Sequence, residues 1–147
     1  MVSERYFEDL KIGDRFQSDS YQVTENGIVN FAREFDPQIF HVDGASAKQT
    51  MFEGLIASGW HTASITMRLF VRTMSVPGAI IGLGVDELRW PNPVRPGDLL
   101  RVETEIVDLR QSRSKPSYGI IRLRNITKNQ RDEVVQSMLA SALVPKR

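Results

Sequence analysis

Cysteine is missing altogether from these 147 residues. Its absence excludes disulfide staples, thiolate metal sites and a cysteine nucleophile, and it fits a reducing compartment. Charge of one sign is scarce as well: 19 Lys and Arg offset 18 Asp and Glu, for a formal net charge of +1. No basic run dominates any segment, so nothing points to nucleic acid as a partner. No apolar run approaches the roughly 20 residues that cross a bilayer, and the opening MVSERYFEDLKIGDRF is too charged for a secretory leader. The expectation is a cytoplasmic protein that engages neither nucleic acid nor membrane.

What is present is ordinary in bulk, with 41% hydrophobic and 25% charged residues, as in soluble globular proteins. The length suits one domain, residues 1–147, able to bury a single core. No repeat or low-complexity tract divides it. RFQSDSYQVT reads as a short strand, with Thr24 as a helix cap behind it. Ile28, Phe31, Ala32 and Phe35 then recur at i, i+3, i+4 and i+7, one face of a short helix. Pro37 keeps Asp36 out of the helical region, so this helix should end at about Phe35. A longer helix is expected from about Ala57 to Met74, with Ile56, Trp60, Ala63, Met67, Phe70 and Met74 as its apolar stripe. Beyond Gly78 the pattern is that of strands: AIIGLGVDELRW, then alternating Leu100, Val102, Thr104 and Ile106, then YGIIRLRNIT and EVVQSMLASALV. Successive strands with short turns argue for an antiparallel sheet, and with one long helix for an α+β domain in which the sheet curls around that helix.

The segment EFDPQIFHVD, Glu34 to Asp43, sets an acid and an imidazole five positions apart. Both have bland uses, since an Asp past a helix organises turns and a loop His is commonly structural. Three features favour proton chemistry. Asp36 would face the negative end of a helix dipole, which disfavours its ionised form. Phe35, Ile39 and Phe40 would keep water scarce around the pair. Finally, FEGLIASGWHTAS opens a helix with Gly59 in its first turn, where backbone amides lack internal partners and an acceptor can come close. A base, an imidazole and a bare amide suit proton transfer beside a carbonyl, the amide holding the developing oxyanion. Metal binding by Asp36, His41 and Asp43 is the competing use. Ligands so crowded match no standard zinc spacing, so no metal is assigned. His61 reads as a packing or polar-face residue.

The stretch FAREFDPQIFHVDGASAKQTMFEGLIASGWHTASI resembles the signature of the MaoC-like dehydratases, the hot-dog-fold (R)-specific enoyl-CoA hydratases. Asp36, His41, Asp43, Ala45, Phe52 and Gly59 occupy that pattern without a gap, and LRWPNPVRPGDLLRVETEI is similar to the family's later strand–loop–strand. Gln38 and Ile39 stand where asparagine and proline are common, and Met67 where some members carry serine. The resemblance implies a long central helix wrapped by a curved antiparallel sheet, in a homodimer or dimer of dimers. It implies an acyl-CoA thioester substrate and no cofactor. Reversible hydration of a trans-2-enoyl-CoA to an (R)-3-hydroxyacyl-CoA would use Asp36 and His41 on one water and the Gly59 amide on the thioester oxygen. An acyl-CoA thioesterase and a non-catalytic acyl-binding subunit are the rivals. Arg89, Arg95 and Lys115 are basic residues within reach of phosphates in principle, with no role assigned.

Overall fold

A computed structural model describes residues 3–147. Two short strands, β1 (Arg15–Gln17) and β2 (Tyr21–Gln22), come where one strand was expected. Helix α1 (Glu25–Phe35) follows, its N-terminus capped by the Thr24 side chain, which accepts from the Gly27 amide. Two single-turn helices, α2 (Ile39–Val42) and α3 (Gly44–Ala47), lead to the long helix α4 (Gly59–Met74). Four long strands complete the chain: β3 (Ile81–Arg89), β4 (Leu99–Gln111), β5 (Tyr118–Lys128) and β6 (Val134–Pro145). All pairings are antiparallel, in the order β1-β4-β5-β6-β3, with β2 pairing separately with β4. No helix among the described residues is long and apolar enough to cross a membrane.

Strand alternation sets the inner face. In β4, Leu100, Val102, Thr104 and Ile106 are buried while their neighbours are partly or fully accessible, the period-2 pattern visible in the sequence. α4 packs on that face and joins two apolar clusters. Ile65 and Leu69 meet Val23, Ile28, Leu100, Val102 and Val135, whereas Phe70 and Met74 meet Ile106, Ile121, Leu123 and Val144. Each such buried side chain contributes about 1.5–3 kcal/mol relative to exposure. A polar layer crosses this interface: the Thr66 and Thr127 hydroxyls are 2.7 Å apart, and Thr104 donates to Asn125 Oδ1 at 2.6 Å.

The expected stripe on α4 needs correction. The buried residues are His61, Thr62, Ile65, Thr66, Leu69, Phe70 and Met74, while Trp60 is 59% and Met67 45% exposed. Trp60, Met67 and Val71 therefore form a second, outward apolar face. Strand β3 forms one edge of the sheet, pairing with β6 on one side, and exposes Ile81, Leu83 and Val85. A register shift between Asp86 and Arg89 interrupts it, with Glu87 in the left-handed region at φ 52°. Such a bulge bends the strand just before Trp90.

Candidate active site

Helix α1 ends as the sequence requires. The Asp36 amide still donates to Ala32 O at 2.9 Å, but Pro37 forbids another helical turn, and Asp36 caps the C-terminus with φ −154° and ψ 67°. The chain restarts at Gln38, the N-cap of α2, and one turn later His41 faces inward, 5% exposed. Its Nδ1 lies 2.7 Å from Ile56 O. A carbonyl only accepts, so Nδ1 carries the hydrogen and Nε2 is left for chemistry. Phe40 packs edge-on against the ring at 4.6 Å.

His41 Nε2 is 3.3 Å from Asp36 Oδ2. One oxygen placed about 2.8 Å from each atom can hydrogen-bond to both. The carboxylate has two further partners: Ser58 Oγ donates to Oδ2 at 2.7 Å, and Gln38 Nε2 donates to Oδ1 at 2.6 Å. Burial pushes the Asp36 pKa up, but the hydrogen bonds from Ser58 and Gln38 outweigh it, with attraction to the His41 ring a smaller contribution that operates when both ring nitrogens carry a proton, so the net shift is downward. This overturns the expectation from the helix dipole. A dipole end is worth about 0.3–1 kcal/mol, whereas hydrogen bonds to a charged group are worth about 1.5–3 each. Asp36 is held as an anion. The surrounding apolar wall is also thinner than expected, because Phe35 and Ile39 point to solvent and Phe40 alone of the three packs on the histidine.

Ser58 ties this pair to α4. Its hydroxyl, fully buried, accepts from the Trp60 amide at 3.3 Å while donating to Asp36. Gly59 is the first residue of α4. Among the described residues its amide has no hydrogen-bond partner. A Cβ built on Gly59 would lie 2.5 Å from Trp90 Cε2, so only glycine lets the indole pack there. A pocket of about 320 Å³ opens beside His41 and Gly59, lined also by Phe40, Phe52, Thr62, Trp90 and Val135. A larger hollow of about 740 Å³ lies between α4 and the first two strands, lined by Arg5, Arg68, Arg72 and Tyr21 among others, and contains none of Asp36, His41 or Gly59.

The other sequence candidates have local duties. Asp43 caps α3, accepting from the Ala45 and Ser46 amides and the Ser46 hydroxyl. His61 stacks on Phe31 at 4.9 Å; burial lowers its pKa, and its buried Nδ1 has no partner among the described residues. Arg95 donates to Phe52 O at 2.7 Å. Two residues that touch Asp36 escaped the sequence reading. Gln38 registered only as a departure from a pattern, and Ser58 was assigned no role, although a serine ahead of a helix is a cap signal.

The sequence matches the family described as MaoC like domain over residues 9–129. The crystal structure of a MaoC-like dehydratase from Rhodospirillum rubrum is 48% identical, with a TM-score of 0.91 over 97% of this chain and 98% of that one. R-hydratase PhaJ1 from Pseudomonas aeruginosa is 26% identical, with a TM-score of 0.80 over 97% and 86%. A 3-hydroxybutyryl-CoA dehydratase of Methylorubrum extorquens is 29% identical over 97% of this chain and 85% of that protein.

Proposed function

Because the chain belongs to the MaoC-like domain family, with its hot-dog fold, we propose that it catalyses the reversible hydration of trans-2-enoyl-CoA to (R)-3-hydroxyacyl-CoA. The observation that carries this reading is the 3.3 Å approach of Asp36 Oδ2 and His41 Nε2, beside the pocket into which Gly59 opens α4. Relatives named as an R-hydratase and a 3-hydroxybutyryl-CoA dehydratase support it. On this reading the whole chain, 1–147, serves as one domain.

In the forward direction a water lies between Asp36 and His41. As its oxygen bonds to C3, its proton passes to His41 Nε2, the ring nitrogen left free by the Ile56 contact. Asp36 balances the charge that appears on the imidazole. The C2–C3 π electrons move toward the thioester, whose oxygen accepts from the Gly59 amide. His41 then returns the proton to C2 on the same face, which balances the addition. Positioned acid–base groups give about 10²–10⁴-fold, and an oxyanion donor is worth roughly 2.7–4 kcal/mol.

A second copy of the chain is the proposed partner, forming a homodimer along β3. The open β3 edge, with Ile81, Leu83 and Val85, and the outward α4 face of Trp60, Met67 and Val71 supply the apolar surface for it. The test of function follows loss of the conjugated thioester absorbance of crotonyl-CoA. Asp36→Asn and His41→Ala are each expected to lower kcat by about 10²-fold or more. Full activity in both variants would overturn the mechanism, and release of free CoA, detected with a thiol reagent, would indicate thioester hydrolysis instead.

A further inference from the structure

The least accommodating wall of the pocket is an aromatic ring. Trp90, 40% exposed, packs against the start of α4, where a Cβ on Gly59 would meet Cε2, Cδ2 and Cζ2 at 2.5, 2.6 and 2.8 Å. Its indole Nε1 donates to Gln136 Oε1 at 2.9 Å, and Gln136 is wholly buried within the sheet. Trp60 packs against it edge-on at 5.4 Å. Behind it the backbone has little freedom, since the β3 bulge precedes it and Pro91 and Pro93 follow it, both lining the same pocket. The ring is thus held by backbone, by a buried acceptor and by a second ring.

The pocket it bounds is an open groove of about 320 Å³, so its fixed walls rather than its total volume decide what fits. We propose that Trp90, latched by Gln136, closes the acyl side of the pocket and restricts the protein to short-chain 2-enoyl thioesters. This rests on the hydration reading above and names its substrate class. Trp90 acts by exclusion: a longer chain meets the indole, and moving the indole leaves the buried Gln136 oxygen without its donor. A single unaccommodated methylene in an apolar pocket already discriminates about 10–200-fold.

The experiment compares kcat/KM for crotonyl-CoA and trans-2-decenoyl-CoA in the wild type, in Trp90→Ala and in Gln136→Met, which keeps similar bulk but removes the acceptor. Calorimetric binding of butyryl-CoA and decanoyl-CoA to the same proteins accompanies it. The wild type is expected to favour the four-carbon substrate and ligand by about tenfold or more. Trp90→Ala should raise the decenoyl-to-crotonyl ratio by at least about tenfold, and Gln136→Met should move it the same way by less. A general loss of stability would not alter that ratio. Equal wild-type preference for the two lengths, or an unchanged ratio in the variants, overturns the proposal. If Trp90→Ala does not fold, the Gln136→Met ratio decides. Absence of turnover with both thioesters in folded wild-type protein refutes the hydration reading alone, and the binding comparison then decides the role of Trp90.

Discussion

Replacing Ser58 by alanine removes one oxygen atom with two partners. As N-cap acceptor for the Trp60 amide, at 3.3 Å, the hydroxyl contributes about 1 kcal/mol. As donor to the Asp36 carboxylate, at 2.7 Å, it contributes about 1.5–3 kcal/mol. Ser58 is fully buried, so water has no open route to replace it. The expected loss near pH 7 is therefore about 2.5–4 kcal/mol. The two parts separate by pH. Asp36 has a folded pKa below its unfolded value, so its contribution to stability is complete above the unfolded value of about 3.9 and disappears as pH falls through the lower folded value. The Ser58 donor is one cause of that depression. Hence the Ser58→Ala penalty should shrink toward the capping part alone, about 1 kcal/mol, in acid. Urea unfolding of both proteins near neutrality and again well below about pH 3.9, past the lowered folded value, measures it. A penalty of equal size at both pH values, or one below about 0.5 kcal/mol at neutrality, would refute the assignment of the hydroxyl to the carboxylate.

Other consequences can be measured on the same material. Gly59→Ala puts a methyl group 2.5 Å from the Trp90 ring, and overpacking of that kind should cost about 1–3 kcal/mol; a thermal melt at the wild-type temperature would show that the ring gives way freely. Thr66→Val leaves the buried Thr127 hydroxyl without its 2.7 Å partner, a loss of about 1–3 kcal/mol. The double change Thr66→Val with Thr127→Val should recover most of it, and strictly additive losses in the four-protein cycle would contradict the pairing. Leu83→Lys, at an exposed position of β3, should leave the protomer folded yet yield a monomer in sedimentation velocity; a dimer of wild-type affinity would place the interface elsewhere.

Local rules made most of the fold legible. The alternation from Leu100 to Ile106 and the stop at Pro37 depend on neighbouring residues alone, and both appear in the structure as expected. Helix α4 was harder, because it carries apolar residues on two faces. The period fits Trp60, Ala63 and Met67 as well as Ile65 and Leu69, while Thr62 and Thr66 dilute the face that enters the core. Spacing therefore marked a helix without deciding which side is covered. The site divides in the same way. Asp36 and His41 stand out by their separation in one loop, but Ser58 reaches Asp36 across 22 positions. That contact exists only after the loop has folded onto the helix, and together with the Gln38 hydrogen bond it lowers the carboxyl pKa that burial alone would raise.

Ile56 meets the turn bearing His41 at two points, donating its amide to Phe40 O at 3.0 Å and accepting from the ring at 2.7 Å. Three residues later the same stretch becomes Gly59. On the hydration reading, the proposed proton carrier and oxyanion amide would therefore ride on a common splint. A shift of the loop would carry the two together, so their spacing should be better preserved than the position of either.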